Sequence, residues 1–291
     1  MDVMLYSKPI TEVIRRRFSC RTYFEKPIEE YKRKRLIEFI SSDGTGPFGT
    51  PVRLELVVAT EQDRSSLKGL GTYGIIKGAT GFFIGAVRNS KKNLEDYGYM
   101  MERAILYATD IGLGTCWLGG TFTRSRFAKK ISAAVGEIVP AVASIGYIAE
   151  RGRSMITMRQ VVGGYNRQPW ETMFFQNKFE SPLSPDDAEE YAAPLEMVRI
   201  GPSASNKQPW RIIRDGNIWH FYLQRTKGYG SSFTFKLLRL ADLQRVDMGI
   251  AMSHFELTAK EIGLKGKWTV KEPQIKKPKG MIEYTASWVG M

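Results

Sequence analysis

Two short stretches carry the side chains best suited to hold a polar ligand. The first is Arg17-Phe18-Ser19-Cys20-Arg21, which follows a short helical pattern beginning at Thr11. Alternate residues of an extended chain point the same way, so two guanidinium groups and a hydroxyl would share one side. Such a fork suits a phosphate, through bidentate guanidinium contacts and a hydroxyl donor. An ordinary basic surface segment has the same composition. The second stretch is Gly201-Pro202-Ser203-Ala204-Ser205-Asn206-Lys207-Gln208-Pro209-Trp210. Its small residues let backbone N–H groups come close to a ligand. Asn206 and Gln208 can each donate and accept, which suits a planar heterocycle with mixed edges. A polar helix-to-strand loop is the plainer reading of the same residues.

The histidines are His220 and His254, the cysteines Cys20 and Cys116, and no CxxC pair occurs. That composition argues against a metal site and against a Cys–His nucleophile. If the chain is an enzyme, a bound cofactor carries the chemistry. His254 falls in a helical pattern and is expected to be structural, and Cys116 and Trp117 are expected in the core.

The positions of these stretches depend on a pattern that occurs twice. Gly98–Trp117 and Gly249–Trp268 align without a gap at an offset of 249 − 98 = 151. Identities fall at Gly98/Gly249, Met101/Met252, Leu106/Leu257, Ala108/Ala259, Ile111/Ile262, Gly112/Gly263, Leu113/Leu264 and Trp117/Trp268. Met101, Ala104 or Ile105, Ala108 and Ile111 recur every three or four residues, as on one face of a helix. Gly112 and Gly263 stand where a left-handed C-terminal cap is wanted. Strand-like segments follow at Thr115–Leu118 and Gly266–Val270. An internal duplication accounts for the match.

Further β-rich runs are Leu54–Ala59, Gly81–Val87 and Ala141–Ile148 in the first half. In the second they are Arg211–Arg214, Trp219–Leu223 and Tyr284–Val289. A helical run is read over Asp186–Arg199. Helices and strands mix without regular βαβ alternation, so the fold class is α+β. Breaker residues from Gly163-Gly164 to Pro185 mark the junction, and the halves are taken as 1–165 and 166–291.

The chain has 291 residues, of which 43% are hydrophobic and 25% charged, enough for a sizeable core. Its net charge of +13 is compatible with nucleic acid, an anionic surface, anionic small molecules or a solvated basic face. The basic residues are scattered, and no zinc-finger or RNA-binding motif stands out. The N-terminal sequence lacks a signal-peptide pattern, and the apolar runs are too short to span a bilayer. A cytoplasmic protein is expected.

Taken together, Arg-x-Ser-x-Arg at 17–21, Pro-Ser-Ala-x-Asn-x-Gln-Pro-Trp at 202–210 and Gly-Leu-Gly-x-Cys-Trp-Leu-Gly-Gly at 112–120 resemble the nitroreductase family. Gly146-Tyr147 and Arg167-Gln168-Pro169-Trp170-Glu171 fit as well. The resemblance covers nearly the whole chain and is to the subgroup in which one chain mimics the usual dimer. It implies an FMN cofactor, NAD(P)H as electron donor and a nitroaromatic, quinone or similar small-molecule acceptor. It further implies that Arg17 and Ser19, joined by Arg167, hold the FMN phosphate. Arg21 would lie on the phosphate or near the pyrimidine edge. Pro202, Ser203, Ala204, Asn206 and Gln208 would contact the isoalloxazine or ribityl chain. Leu118, Gly119 and Gly120 would line the flavin, with a backbone N–H toward N5.

The first half has the arginine set, but its corresponding loop, Thr45–Pro51, lacks the Asn and Gln. The second has the loop but no arginine set. One FMN per chain is therefore expected, in a monomer acting as a pseudo-dimer, without nucleic-acid or membrane partners. The competing readings are a flavin-binding or flavin-free relative without redox turnover, and a basic nucleic-acid or anionic-surface binder.

Overall fold

The computed structural model describes residues 6–42, 44–149, 166–228 and 241–291. The chain divides into two compact units, Met1–Tyr165 and Asn166–Met291. The Gly163-Gly164 part of the expected junction lies outside the described residues.

In the first unit the helices are α1 (Ile10–Arg16), α2 (Glu30–Ser42), α3 (Asn93–Asp110) and α4 (Arg124–Lys130). The strands are β1 (Tyr23–Phe24), β2 (Val52–Val58), β3 (Gly81–Arg88), β4 (Gly114–Leu118), β5 (Glu137–Ile138) and β6 (Val142–Ile148). Antiparallel pairing gives the run β2-β3-β6-β4, with β1 and β5 as two-residue additions. Phe82, Ile84 and Ala86 of β3 alternate into a core with Leu118, Val142, Phe122 and Phe127. On the other face α3 comes close enough that a side chain at Gly85 would strike Tyr97, 2.6 Å away.

The second unit holds β7 (Phe174–Gln176), α5 (Ala192–Arg199), β8 (Trp210–Asp215), β9 (Ile218–Gln224), α6 (Leu243–Glu261), β10 (Gly266–Thr269) and β11 (Ile282–Gly290). Its antiparallel run is β8-β9-β11-β10, with β7 added parallel to β8. This is the first unit's order, strand for strand. The helix expected over Asp186–Arg199 is shorter: Pro185–Ala188 forms turns, Glu189–Tyr191 a 3-10 turn, and α-helix starts at Ala192.

The repeated segments share details of backbone and bonding. Gly112 and Gly263 have φ of +83° and +82°. The next residues close the helices alike, Leu113 N–H to Ala108 O and Leu264 N–H to Ala259 O, both at 2.9 Å. Left-handed backbone there costs glycine no Cβ clash. Trp117 donates to Glu102 at 2.7 Å and Trp268 to Glu256 at 2.6 Å. The acids stand 15 and 12 residues before their tryptophans, so equivalent bonds are made from different helix turns.

Heptad-like periodicity suggests one apolar face, yet 16 of the 18 residues of α3 are buried. Central placement is possible because its acids are satisfied. Asp110, for example, accepts from the Ser7 N–H and hydroxyl and from Lys8. In the second unit Phe255 of α6 sits among five rings, those of Tyr191, Trp219, Phe221, Trp268 and Trp288, with centroids 5.2–6.2 Å away. His254, as expected, is structural: it is fully buried and its Nδ1–H donates to Met197 O at 2.8 Å.

Replacing Phe255 by Ala would remove this hub and leave a cavity among rigid rings. It is expected to cost about 3–5 kcal/mol, read as a lower denaturant midpoint with an unchanged m-value.

Candidate functional site

The segment Arg17–Tyr23 runs extended because neighbours hold it on both sides. Cys20 N–H donates to Thr115 O of β4 at 2.8 Å, and Ser19 bridges Thr115. Opposite, Lys77 N–H donates to Arg21 O and Tyr23 N–H to Lys77 O, both at 2.9 Å. Lys77 thus fastens the arginine segment on that side. Arg17, Ser19 and Arg21 gather near Cys116. Burial pushes the Cys116 thiol up, Arg21 and Arg17 pull it down by charge, and Ser19 hydrogen-bonds to it.

Arg17 is 6% exposed in its side chain. Its Nε lies 3.8 Å from Glu102, too long for a hydrogen bond. Arg17 Nε and Arg21 Nη1 are buried and have no hydrogen-bond partner among the described residues. A buried guanidinium N–H left unmatched is costly. At the far end of β4, the Leu118 side chain packs in the core, so only its backbone can face a ligand. Gly119 O accepts from Arg124 at 3.1 Å. A side chain at Gly120 would meet open space.

In the second unit the Pro202–Trp210 loop joins α5 to β8. Ser205, Asn206 and Gln208 have φ of +50°, +55° and +49°, a left-handed backbone without glycine. That strain is held by internal bonds. Asn206 N–H donates to Ser203 O, Lys207 N–H to Ala204 O, Gln208 N–H to Ser203 Oγ and Ala204 N–H to Asp247. These N–H groups are therefore not offered to a ligand.

Arg167, Asn206 and Gln208 meet in one cluster. Arg167 donates to Asn206 Oδ1 at 2.6 Å and to Ile200 O at 2.8 Å. Asn206 Nδ2 donates to Asn166 O at 3.0 Å. Gln208, 3% exposed, accepts from Gln168 N–H at 2.8 Å and donates to Asn166 O at 3.1 Å. Both amides brace the 166–168 segment. Gln208 is a support of the loop, and Asn206 keeps one Nδ2 N–H beyond these bonds.

Sequence reading missed the acids under these loops. Asp96 on α3 accepts Phe48 N–H and Thr50 N–H, each at 2.9 Å, and so fixes Thr45–Pro51. Asp247 on α6, 151 residues later, accepts Ala204 N–H at 2.9 Å and fixes the second loop. Burial raises the Asp96 carboxyl against those two bonds, and raises that of Asp247, with its single bond, well above the usual range. Asp247 Oδ2 is buried with no partner among the described residues. Among the described residues, no group of three or more His, Cys, Asp and Glu could hold a metal, and no helix is long and apolar enough to cross a membrane.

The raised Asp247 means that the folded protein keeps a proton which the unfolded chain releases near the ordinary Asp value of about 3.9. Its stabilising contribution is full below that value and declines as pH rises from there through the folded-state pKa. Asp247→Asn retains an acceptor for Ala204 N–H and cannot ionise. It is expected to remove this decline and to match or exceed the parent stability at neutral pH. Asp247→Ala is expected to cost about 1–3 kcal/mol by stranding the Ala204 N–H. Denaturant midpoints across a pH series check both; an Asn variant with the parent's slope would refute the assignment.

The family model described as "Putative TM nitroreductase" matches residues 9–259. A crystal structure from Thermotoga maritima described in the same terms is 19% identical, with 97% of this chain and 94% of that chain covered and a TM-score of 0.60. A nitroreductase with bound FMN from Bacteroides fragilis is 19% identical over 50% of this chain and 90% of its own, with a TM-score of 0.38. An FMN-dependent nitroreductase from Clostridium difficile is 20% identical over 47% of this chain and 87% of its own, also at 0.38. No curated protein matches the sequence. With an α+β fold and a family match over most of its length, the chain belongs to the nitroreductase family that this model describes.

Proposed function

We propose that this chain is an FMN-dependent oxidoreductase, taking reducing equivalents from NAD(P)H and delivering them to a nitroaromatic, quinone or similar small-molecule acceptor. The observation that carries the reading is the pair of buried, unmatched guanidinium N–H groups of Arg17 and Arg21, flanking Ser19. Such a set has charge and donors suited to a phosphate monoester. FMN, when bound, would supply the hydride chemistry at its N5.

The protein's own part is to hold and orient. Arg17, Ser19 and Arg21 bind the phosphate. Pro202, Ser203, Ala204 and Asn206 contact the ring or ribityl chain, while Gln208 and Asp247 keep that loop in its left-handed shape. Gly119 and Gly120 present backbone without a side chain in the way. Arg167, bonded to Asn206, adds positive charge beside the loop, which favours an anionic reduced flavin. One FMN per chain is proposed, because each unit has only one of the two residue sets. The shared strand order supports a duplicated chain; that such a chain acts as a monomer in place of a dimer is part of the same proposal.

A second reading, a relative that no longer holds flavin, is favoured by one observation: Asn206 and Gln208 already use their amides on the 166–168 segment.

Absorbance of the purified protein after incubation with FMN and removal of the excess separates the two. About one FMN per chain is expected. Arg17→Ala and Asn206→Ala are each expected to weaken retention about tenfold or more, the loss of one charge-assisted or buried hydrogen bond. Phe48→Ala and Lys178→Ala are expected to leave it unchanged. Two FMN per chain would overturn the one-site proposal, and none would favour the flavin-free reading. NADH or NADPH oxidation with a quinone then tests turnover.

A further inference from the structure

A cavity of about 640 Å³ lies in the second unit. Arg211 and Gln224 reach it from β8 and β9, on the sheet face that carries Tyr222. Phe221 and Trp219 meet Phe255 on the opposite face. The volume is within the roughly 300–1,000 Å³ of small-molecule sites. None of the residues Pro202–Gln208 lines it.

Its chemistry is two-sided. Phe175, Phe179, Met281 and Ile282 form apolar walls, and the two phenyl rings lie 5.7 Å apart at 55°. Arg211, 9% exposed, is the buried polar group. Its Nη1 donates to Gln208 O at 3.1 Å and Trp210 O at 2.6 Å, and its Nη2 to Gln168 Oε1 at 3.0 Å. All three acceptors are neutral, and no carboxylate pairs with Arg211 among the described residues. Burial alone pulls its pKa down to about 10.

A guanidinium has five N–H bonds, and these contacts use three. Nε–H and one Nη2 N–H remain without a protein partner among the described residues on a largely buried cation, where an unpaired charge is costly. Lys227 and Lys279 add positive charge around the cavity, against Glu180. Arg225 adds little, being neutralised by Asp242 at 2.6 Å and Glu283 at 2.8 Å.

We propose that this cavity is a binding site for a small aromatic carboxylate, its ring against Phe175 and Phe179 and its carboxylate on the remaining N–H groups of Arg211. The site does not depend on the flavin reading. Calorimetric titration of the full chain with 2-naphthoate, with and without FMN, tests it. One site per chain is expected, with 2-naphthamide binding about tenfold or more weakly because the charge-assisted pair is lost. Arg211→Gln is expected to weaken 2-naphthoate by a similar factor. The double variant Lys227→Glu, Lys279→Glu should weaken it about threefold or more through charge alone. Asn206→Ala should leave it unchanged. Should Arg211→Gln fail to fold, the amide comparison and the double variant decide the matter. No binding at millimolar 2-naphthoate, equal affinity for acid and amide, or loss of the site on adding FMN would each overturn the proposal.

Discussion

A carboxylate buried in the first turns of a central helix has to be met by N–H donors, and in both units the donors come from the loop that leads into the sheet. Asp96 and Asp247 are 0% and 2% exposed. Each ties its helix to the chain entering β2 or β8, so helix, loop and first strand become one mechanical piece. Three further strands then pair antiparallel in the same order in both units. The aromatic cluster around Phe255 and the Phe82–Phe127 core fill the space this framework leaves.

The two arms of the framework are not equally tight. Asp96 uses both oxygens on the loop, whereas Asp247 uses one and leaves the other orphaned. The difference goes with loop conformation. Counted from the first N–H that each aspartate binds, Phe48 and Ala204, the second loop is two residues longer before its strand, and it coils through three left-handed residues closed on themselves. Strain of this kind persists where surroundings over-determine the backbone, commonly at ligand sites. In the first unit the Arg17–Tyr23 segment is instead extended and clamped from both sides, by Thr115 and by Lys77.

Much of this was legible in the sequence because it was local or repeated. The expected strands came within two residues of their bounds, since alternation and glycine breaks are local signals, whereas the short β1, β5 and β7 were not expected. The caps at Gly112 and Gly263 followed from the repeat. Long-range bonding was not legible. Nothing local says that Gln208 faces Gln168, that Leu118 turns its side chain into the core, or that Arg211 is buried among neutral acceptors. Asp96/Asp247 could have been found: extending the alignment at an offset of 151 by two positions before Gly98 reaches an identical acid in both halves. Glu102 and Glu256 could not, because the matching tryptophans draw their partners from different turns, and an ungapped alignment puts Ser253 opposite Glu102.

The Thr45–Pro51 loop has a bearing on protein engineering. It lacks the Ser, Asn and Gln of its counterpart, but it is not slack. Asp96 grips it through two N–H groups, and a side chain at Gly46 would run into Asp96 at 2.4 Å. The loop works as a latch on its own helix. Transplanting the Pro202–Trp210 sequence into that position would bring new side chains into a backbone still held by the old grip. A graft would also have to loosen Asp96 and supply the two extra residues of the coil. The obstacle to copying the second unit's loop there is thus the acid beneath it as much as the residues it lacks.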